Sequence, residues 1–386
     1  MADMLFTGGG TGGHLYPALA VAEAVRELEP STEILFVGTP ERIEARVVPE
    51  HGYRFAAIAA EGLSRRPVAA ARALLKLVAA VAKARRLIRQ EKPRVVLGTG
   101  GYVSAPVLLA AWLSGVPVVL QEQNVVPGKV NRWLARVARE VATAFPESAR
   151  YFSGPVVALG NPIRTAAFDQ SPEDARRALG YAPDAKVLLV TGGSQGAKRL
   201  NEALVGALPE ILGKTDWQVL HVTGPAQLDA VRAQAPDSPR YRAIGYCETM
   251  PTAILASALV MSRAGATTLA ELTATGRPML LVPYPHAGGH QRLNARAIVE
   301  AGGGIEIEDA QLTPERLSAA LLPIMTDEAT RTRMTQASAT LGRPEAAREL
   351  AKRLIDLAHE SSQSASSITS GPSSAGELAH GERVDG

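Results

Sequence analysis

At 386 residues the chain exceeds what one ordinary core holds, and 46% hydrophobic against 20% charged residues is the balance of a soluble globular body, so two domains with a cleft between them are expected. A single cysteine, Cys247, excludes an internal disulfide framework and fits a reducing compartment. The formal charge is only +3, yet Gly62 to Arg94 holds ten Lys and Arg against the single acid Glu91, which points to an acidic partner at that surface; no nucleic-acid partner is expected.

The start, "MADMLFTGGG", lacks the charged opening and long apolar run of a signal peptide. No later run reaches the roughly 18 to 20 apolar residues that span a bilayer, so a cytosolic chain that does not cross a membrane is expected. Leu5 leads through "TGGGTGG", Thr7 to Gly13, into a helix-like run beginning at His14. From there "EILFVG", "RVVLGTG", "VPVVLQ", "KVLLVTGG", "WQVLHVTG", "ALVMSRAG" and "PMLLVPY" read as strands ending in turn residues, separated by Ala- and Leu-rich helical stretches. Such alternation predicts an α/β fold of parallel sheets, and the unbroken apolar character of the strands fits burial on both faces.

Between the first and second of these strands, "RRPVAAARALLKLVAAVAKARRLIRQ" sets Leu74, Leu77, Val78 and Val81 on one helical stripe with Arg72, Lys76 and Lys83 opposite. It is read first as a core-packing helix with a solvated basic face; a helix lying on an anionic membrane is the alternative. Arg85 falls on the apolar side and has to snorkel in either case.

"TGGGTGG" has a weak echo in "TGGSQGA", Thr191 to Ala197, since both follow a strand and open a helix. Two doubly wound halves are expected, with a third glycine loop, "GTGGYVSAP", inside the first. The Gly-Asn-Pro punctuation of "VVALGNPIRTAAF" puts the boundary near Pro162, giving domains at 1–162 and 163–342. A terminal helix at 343–360 is expected to pack back on the first domain, and 361–386, with eight serines, reads as a disordered tail.

Strand-loop-helix units with small residues at the turn present free N–H groups and a positive helix end, which suit a phosphate. Gly8, Gly10 and Gly13 match G-x-G-x-x-G, but the next strand ends "FVGTPE" and puts Gly38 and Thr39 where a dinucleotide site needs a ribose-binding acid. Gly13 is followed by His14 and Leu15, so a nucleotide-hydrolysing P-loop fails too. His14 is either a general base, mostly neutral at an ordinary pKa of about 6.5, or a structural histidine.

Gln121, Glu122, Gln123 and Asn124 crowd the end of an apolar strand, where ligand sites of open α/β sheets lie, although loop capping explains them as well. "SRAGATTLAELTATG" sets Thr267 and Thr268 at a helix start with Glu271 a turn further on, as a grip for a sugar diol or as a capping box. His286, His290 and Gln291 fall near the same edge. Seven scattered histidines and one cysteine show no familiar ligand spacing, so no metal site is expected.

Taken together, "TGGGTGGHLYPALA", "GTGGYVSAP", "QEQN", "GNPIR", "TGGSQGAKRLN", "RAGATTLAEL" and "HAGGHQRLNA" resemble the MurG family of UDP-N-acetylglucosamine transferases, in order and spacing, over residues 5 to 357. The resemblance implies a GT-B fold, two doubly wound Rossmann-like domains facing across a cleft, with UDP-GlcNAc held mainly by the second and the lipid acceptor by the first. It implies an inverting transfer of N-acetylglucosamine to the C4 hydroxyl of N-acetylmuramoyl-pentapeptide on undecaprenyl pyrophosphate (lipid I), giving lipid II, with no cofactor.

It assigns donor contacts to Thr11, Gly12, Gly13, Asn124, Arg164, Ser194, Cys247, the run Ala266, Thr267, Thr268, Leu269, Ala270 and Glu271, and Gln291. Within these, Glu271 holds the ribose hydroxyls, Gln291 the sugar hydroxyls, and Arg164 helps meet the charge of the departing UDP. Gly10, Gly100, Gly101, Tyr102 and Asn201 fall on the acceptor side or in the cleft. His14 is the candidate base, with Glu122 as alternative or partner, and the first loop is expected to face the acceptor pyrophosphate.

Two departures stand out: His290 precedes Gln291 where the family often has paired glutamines, and Cys247 occupies a main-chain contact. Because the polyprenyl chain stays in the bilayer, the 65–90 region becomes the expected contact with an anionic membrane, peripheral to the cytoplasmic face of the bacterial inner membrane. A related glycolipid transferase and a UDP-GlcNAc epimerase stand as alternatives.

Overall fold

Every strand lies parallel to its neighbours, in two sheets of seven and six strands. The computed structural model describes residues 1–59, 67–285 and 289–369, with the side chains of 67–73 and 364–369 excepted. The first unit runs β1 (Met4–Gly8), α1 (Gly12–Leu28), β2 (Ile34–Gly38), α2 (Ile43–Glu50), β3 (Arg54–Ala57), α3 (Pro67–Glu91), β4 (Val95–Gly100), α4 (Ser104–Leu113), β5 (Val118–Glu122), α5 (Lys129–Leu134), β6 (Glu140–Thr143) and β7 (Val156–Ala158). The second opens with α6 (Pro172–Ala178), β8 (Val187–Thr191), α7 (Lys198–Lys214), β9 (Gln218–Val222), α8 (Leu228–Gln234) and β10 (Tyr241–Ile244). It continues with α9 (Met250–Ala256), β11 (Leu259–Ser262), α10 (Ala266–Ala274), β12 (Met279–Leu281), α11 (His290–Glu300) and β13 (Gly304–Glu306), then α12 (Pro314–Thr326), α13 (Glu328–Thr340) and α14 (Ala346–Thr369).

The sheet orders are β3-β2-β1-β4-β5-β6-β7 and β10-β9-β8-β11-β12-β13. In each, the winding reverses beside the central strand, between β1 and β4 and between β8 and β11, and helices leaving on opposite faces open a crevice there. The glycine loops sit at the carboxyl ends of those four strands. Continuous apolar strands make this placement possible: β1, β2, β5 and β8 are buried along their whole length, so only their ends meet solvent.

The chain leaves the first sheet after Ala158 and returns through α14, whose Ala347, Leu350, Ala351, Leu354 and Ala358 pack with α1 in the first core. Burying Leu350 and Leu354 there contributes about 1.5–3 kcal/mol each. Outgoing and returning segments cross at Gly160, whose φ is +99°, and a Cβ on it would stand 2.4 Å from Arg343 Cβ. No side chain fits that crossing.

Two expectations need correction. Helix α14 runs to Thr369, into the stretch read from composition as a tail, and there the Ser361 and Ser362 hydroxyls donate back to the carbonyls of Leu357 and Ala358. Residues 370–386 lie outside the described residues. The stripe of α3 is the second. Ala80, Ala84 and Ile88 face the core with Leu77 and Val81 half-buried, whereas Leu74 (56% exposed) and Val78 (60%) point outward, beside Leu75 (72%). The buried seam is thus rotated towards the alanines, which let α3 approach α4 closely. Arg65 and Arg66 and the side chain of Arg72 lie outside the described residues. Among the described residues no helix is long and apolar enough to cross a membrane.

The crossing makes a prediction. Gly160→Ala combines a strained φ with a collision against the Arg343 and Ala346 side chains and costs about 1–3 kcal/mol. Gly52 has a φ of +74° and nothing within 4 Å of its would-be Cβ, so Gly52→Ala carries the strain alone. Urea midpoints that rank Gly160→Ala no lower than Gly52→Ala would show that the crossing is not tight.

Candidate active site

The first loop is tied down from below by a residue that no sequence spacing singled out. Glu44 of α2 is buried; one carboxylate oxygen accepts the Gly10 N–H (3.1 Å), and the other accepts the Thr39 N–H (3.1 Å) and hydroxyl (2.8 Å). A Cβ on Gly9 would stand 2.5 Å from the Glu44 carboxyl carbon, so the loop glycines make room for this acid. Gly10, expected to face the acceptor, therefore has its N–H committed to Glu44. A carboxylate lies where the sequence suggested a bare phosphate cradle.

His14 stands in the first turn of α1, half-buried, with Nδ1 3.1 Å from the Thr11 hydroxyl. Its far edge lies over Gly100, where a Cβ would meet Cδ2 at 2.8 Å and Nε2 at 3.0 Å, and the Thr99 hydroxyl donates to the His14 carbonyl (2.7 Å). Burial pushes the imidazole pKa down to about 4, opposed by the charge of Glu44. The ring is thus neutral near pH 7. Gly101 brings the third loop against the first, with its would-be Cβ 2.7 Å from the Gly9 carbonyl, and the Tyr102 ring lies beside Gly10.

Glu122 is a second buried carboxylate, at the end of β5. Its oxygens accept from the Asn124 N–H (2.9 Å) and amide (3.3 Å), the Gly128 N–H (3.2 Å) and the Asn131 amide (2.9 Å). Burial raises its pKa and these donors lower it. Burial outweighs the donors, so the pKa stays above the ordinary carboxylate value while Glu122 holds the loop into α5.

Side-chain amides carry this network across to the second unit. Gln123 donates to the Thr99 carbonyl and to Gln121, Gln121 donates to Asn161 (3.0 Å), and Asn161 donates to the Thr267 hydroxyl (3.4 Å). In parallel, Asn294 of α11 accepts the Val125 N–H (3.0 Å) and donates to the Asn124 amide oxygen (3.0 Å) and towards the Ala264 carbonyl (3.4 Å). Sequence reading named Asn124 and Thr267 but missed Asn161 and Asn294 as their partners, since nothing local marks a contact 170 residues apart.

Helix α10 settles the capping question. Its N-cap is Gly265, which makes no side-chain cap, so Thr268 and Glu271 do not form a capping box and the first-turn N–H groups of Ala266, Thr267 and Thr268 lack a side-chain cap at the positive helix end. Glu271 lies on the same face as Thr267 and Thr268, with no hydrogen bond or ion pair to its carboxyl among the described residues. Burial pushes its pKa up to about 7. Leu269 turns into the core, and Ala266, Leu269 and Ala270 line a cavity of about 220 Å³ beside the helix, to which Phe145, Pro146 and Asn161 of the first unit also contribute.

The other expected donor residues divide similarly. Gln291 accepts the N–H groups of Ala264 (3.1 Å) and Tyr284 (2.9 Å) on its amide oxygen and keeps its NH₂ free of protein partners among the described residues. Ser194 is exposed in the loop before α7, whose first turn also lacks a side-chain cap. Cys247 is buried in the second core, leaving only its backbone for a ligand. Arg164 is bound to Glu23 of α1 at 2.9 Å, so its charge is already partly neutralised.

Asn201 is corrected outright. It is 1% exposed and holds the Thr223 carbonyl, Gln227 and His221 Nε2, bracing the turn that crowds Gly196 from behind the loop. His286 lies outside the described residues, and His290 is half-buried at the start of α11.

Comparison with known proteins joins the two units. Residues 4–143 match the glycosyltransferase family 28 N-terminal domain and residues 187–353 its C-terminal domain. The chain is 42% identical to the UDP-N-acetylglucosamine--N-acetylmuramyl-(pentapeptide) pyrophosphoryl-undecaprenol N-acetylglucosamine transferase of Salinibacter ruber, across 92% of this chain and 96% of that one. The crystal structure of Acinetobacter baumannii MurG superposes with a TM-score of 0.74 at 29% identity, covering 92% of this chain and 100% of that one. CalG4, a calicheamicin glycosyltransferase, matches in fold alone, with a TM-score of 0.64 at 18% identity over 92% of this chain and 98% of its own.

The lone carboxyl of α10 is open to a direct test. A carboxyl whose folded pKa lies above its unfolded value holds its proton more firmly when folded, so its stability contribution is lost as pH rises from about 4.5 through 7. Glu271→Gln removes that loss and stabilises the unliganded protein by about 2 kcal/mol at pH 8, with no gain at pH 4. Equal urea midpoints for parent and variant at pH 8 would contradict a buried, unpartnered carboxylate.

Proposed function

This chain belongs to the MurG family of N-acetylglucosamine transferases, and from that premise we propose how its two units divide the work. It moves N-acetylglucosamine from UDP-GlcNAc onto lipid I to give lipid II in peptidoglycan synthesis. The observation that carries the mechanism is that α1 packs against α10, so that His14 and the uncapped start of α10 open onto one cleft, with Tyr16 of α1 close enough to feel the charge of Glu271.

The C4 hydroxyl of the acceptor attacks the anomeric carbon from the face opposite UDP; the bond to the diphosphate breaks, the centre inverts, and the hydroxyl proton passes to His14. The Thr11 hydroxyl engages Nδ1, and in the tautomer in which it accepts from Nδ1–H, Nε2 is the atom that takes the proton. A ring with a pKa near 4 is a weak base, but bound diphosphate adds negative charge that raises it, and Glu44 stabilises the imidazolium once formed. Negative charge growing on UDP meets the first-turn amides of α10 and the Thr191–Ala197 loop before α7. Glu271 pairs with the ribose diol, and the Gln291 NH₂ donates to a sugar hydroxyl.

His14→Ala is expected to lower kcat by about 10²- to 10⁴-fold while UDP-GlcNAc still binds within about twofold of the parent. The check is turnover of a soluble acceptor analogue alongside calorimetric donor binding, and unaltered kcat would remove His14 from the reaction.

The acceptor reaches the cleft from a bilayer, and the first unit carries a surface suited to one. Leu74, Leu75 and Val78 of α3, Trp112 and Leu113 of α4 and Trp133 of α5 are exposed, with Lys83, Arg85, Arg86 and Arg89 alongside. Apolar side chains rimmed by cations and tryptophan support peripheral docking on the cytoplasmic face of an anionic membrane. Leu75→Glu with Val78→Glu should weaken binding to vesicles of mixed phosphatidylcholine and phosphatidylglycerol at least about tenfold. Undiminished cosedimentation would dismiss this docking face.

A further inference from the structure

His221 lies in β9 between the buried apolar neighbours Leu220 and Val222, and it takes no part in the steps above. Burial pushes its pKa down to about 4, so the ring is neutral. Its partners fix which nitrogen carries the hydrogen. Both amide hydrogens of Asn201 are already given away, to the Thr223 carbonyl and to Gln227 (2.9 Å each), which leaves the Asn201 oxygen to accept from His221 Nε2–H at 3.0 Å. Nδ1 then accepts from the Tyr241 hydroxyl of β10 at 2.9 Å, a phenol whose pKa burial pushes up to about 12. The chain of donors runs one way, from Tyr241 through His221 and Asn201 to Thr223. An apolar side chain would fill this place in the sheet without a desolvation cost, so what the imidazole adds is two directed bonds.

The end of that chain touches the donor side. A Cβ on Gly196 would collide with the Thr223 carbonyl, and one on Gly224 would stand 2.5 Å from the Gln195 carbonyl, so the Thr191–Ala197 loop rests backbone against backbone on the Thr223–Gly224 turn. On its far side the turn is tied to β10, where the Thr223 N–H is given to the Ile244 carbonyl (2.9 Å). The loop cannot sink, and its height follows the Thr223 carbonyl that Asn201 grips. We propose that His221 is a positioning residue for the donor: by fixing the Asn201 amide, it sets the height at which the Thr191–Ala197 loop meets the diphosphate of UDP-GlcNAc. The inference rests on the reading of that loop as a seat for the diphosphate, and it adds the residue that holds the seat in place.

Loss of the imidazole has a directional effect. Without the Nε2–H donor the Asn201 oxygen is buried and unpaired, so the amide turns to find another partner and releases the Thr223 carbonyl. The loop then gains room to drop away from the diphosphate, while Glu271 and the first-turn amides of α10 stand on another element and stay in place. Affinity is lost for the diphosphate and kept for the nucleoside.

The test separates the two ring nitrogens. His221→Gln brings an amide N–H to the Nε2 position and keeps the bond to Asn201, whereas His221→Asn reaches only as far as Nδ1 and loses it. His221→Leu, which suits the apolar surroundings, drops both bonds. Affinities for UDP and for uridine are measured by competition calorimetry. His221→Asn and His221→Leu should each weaken UDP about tenfold with uridine within about twofold of the parent, and His221→Gln should bring UDP back to within about threefold. The KM for the lipid acceptor should not change in any of them. UDP affinities that are equal across the three variants, or a loss shared equally by UDP and uridine, would overturn the positioning role of His221. Gly196→Ala tests the premise, because it drives the loop off the turn directly. If it leaves the preference for UDP over uridine intact, the loop is not the seat and both readings fall; if it removes that preference while His221→Asn retains it, only the role of His221 falls.

Discussion

A backbone N–H removed from water without a partner costs about 1–3 kcal/mol, and the structure meets that constraint with different side chains at its two matching glycine loops. Beneath the first, the Glu44 carboxylate takes the Gly10 N–H and binds Thr39 on the other side. In the second, the neutral Thr191 hydroxyl takes the Gly193 N–H (3.2 Å), and no side chain caps the first turn of α1, α7 or α10. A loop without a carboxylate beneath it suits a diphosphate; a carboxylate under the first loop suits a developing imidazolium. The halves of one repeated architecture are thereby made fit for different partners.

The two units also share buried polar groups where an apolar seam would have been simpler. Gln121, Gln123 and Asn161 bond one another, and Asn294 bonds Asn124 and the backbone beside them, so removing a partner leaves another amide unpaired. Such a network tolerates only particular relative positions of the units, which is what a reaction between a sugar on one side and a hydroxyl on the other requires. Apolar packing at the same place would slide. The cavity behind α10 lies next to the Gly160 crossing, where the connecting segments already allow no bulk.

What was legible in the sequence is what local chemistry dictates. Apolar runs ending in glycine announce buried parallel strands, and the same glycines announce loops at their ends, so the sheets and the positions of His14, Glu271 and Gln291 followed from short stretches. Glu44, Asn161 and Asn294 did not, because their importance lies in partners far along the chain. Glu122 was legible as a residue in the site but not in its role, since only the four donors around it show that it is occupied. For α10, spacing alone suggested Thr268 as a cap, and the helix instead begins at Gly265. On α3 the helical period was sound, yet periodicity cannot say which of two adjacent stripes meets the core; small alanines won because α4 lies close.

Helix α5 brings these strands of reasoning to one place. Its six residues present Asn131 inward to Glu122 and Arg132 and Trp133 outward, so a single rigid turn and a half carries both the floor of the cleft and part of the outer face of the first unit. Gly128, at its start, gives its N–H to the same Glu122 carboxylate, which removes the slack that a loop would otherwise have there. A buried carboxylate held by four donors has a mechanical use whatever its chemistry: it fixes how far the outer face of α5 stands from the floor of the cleft.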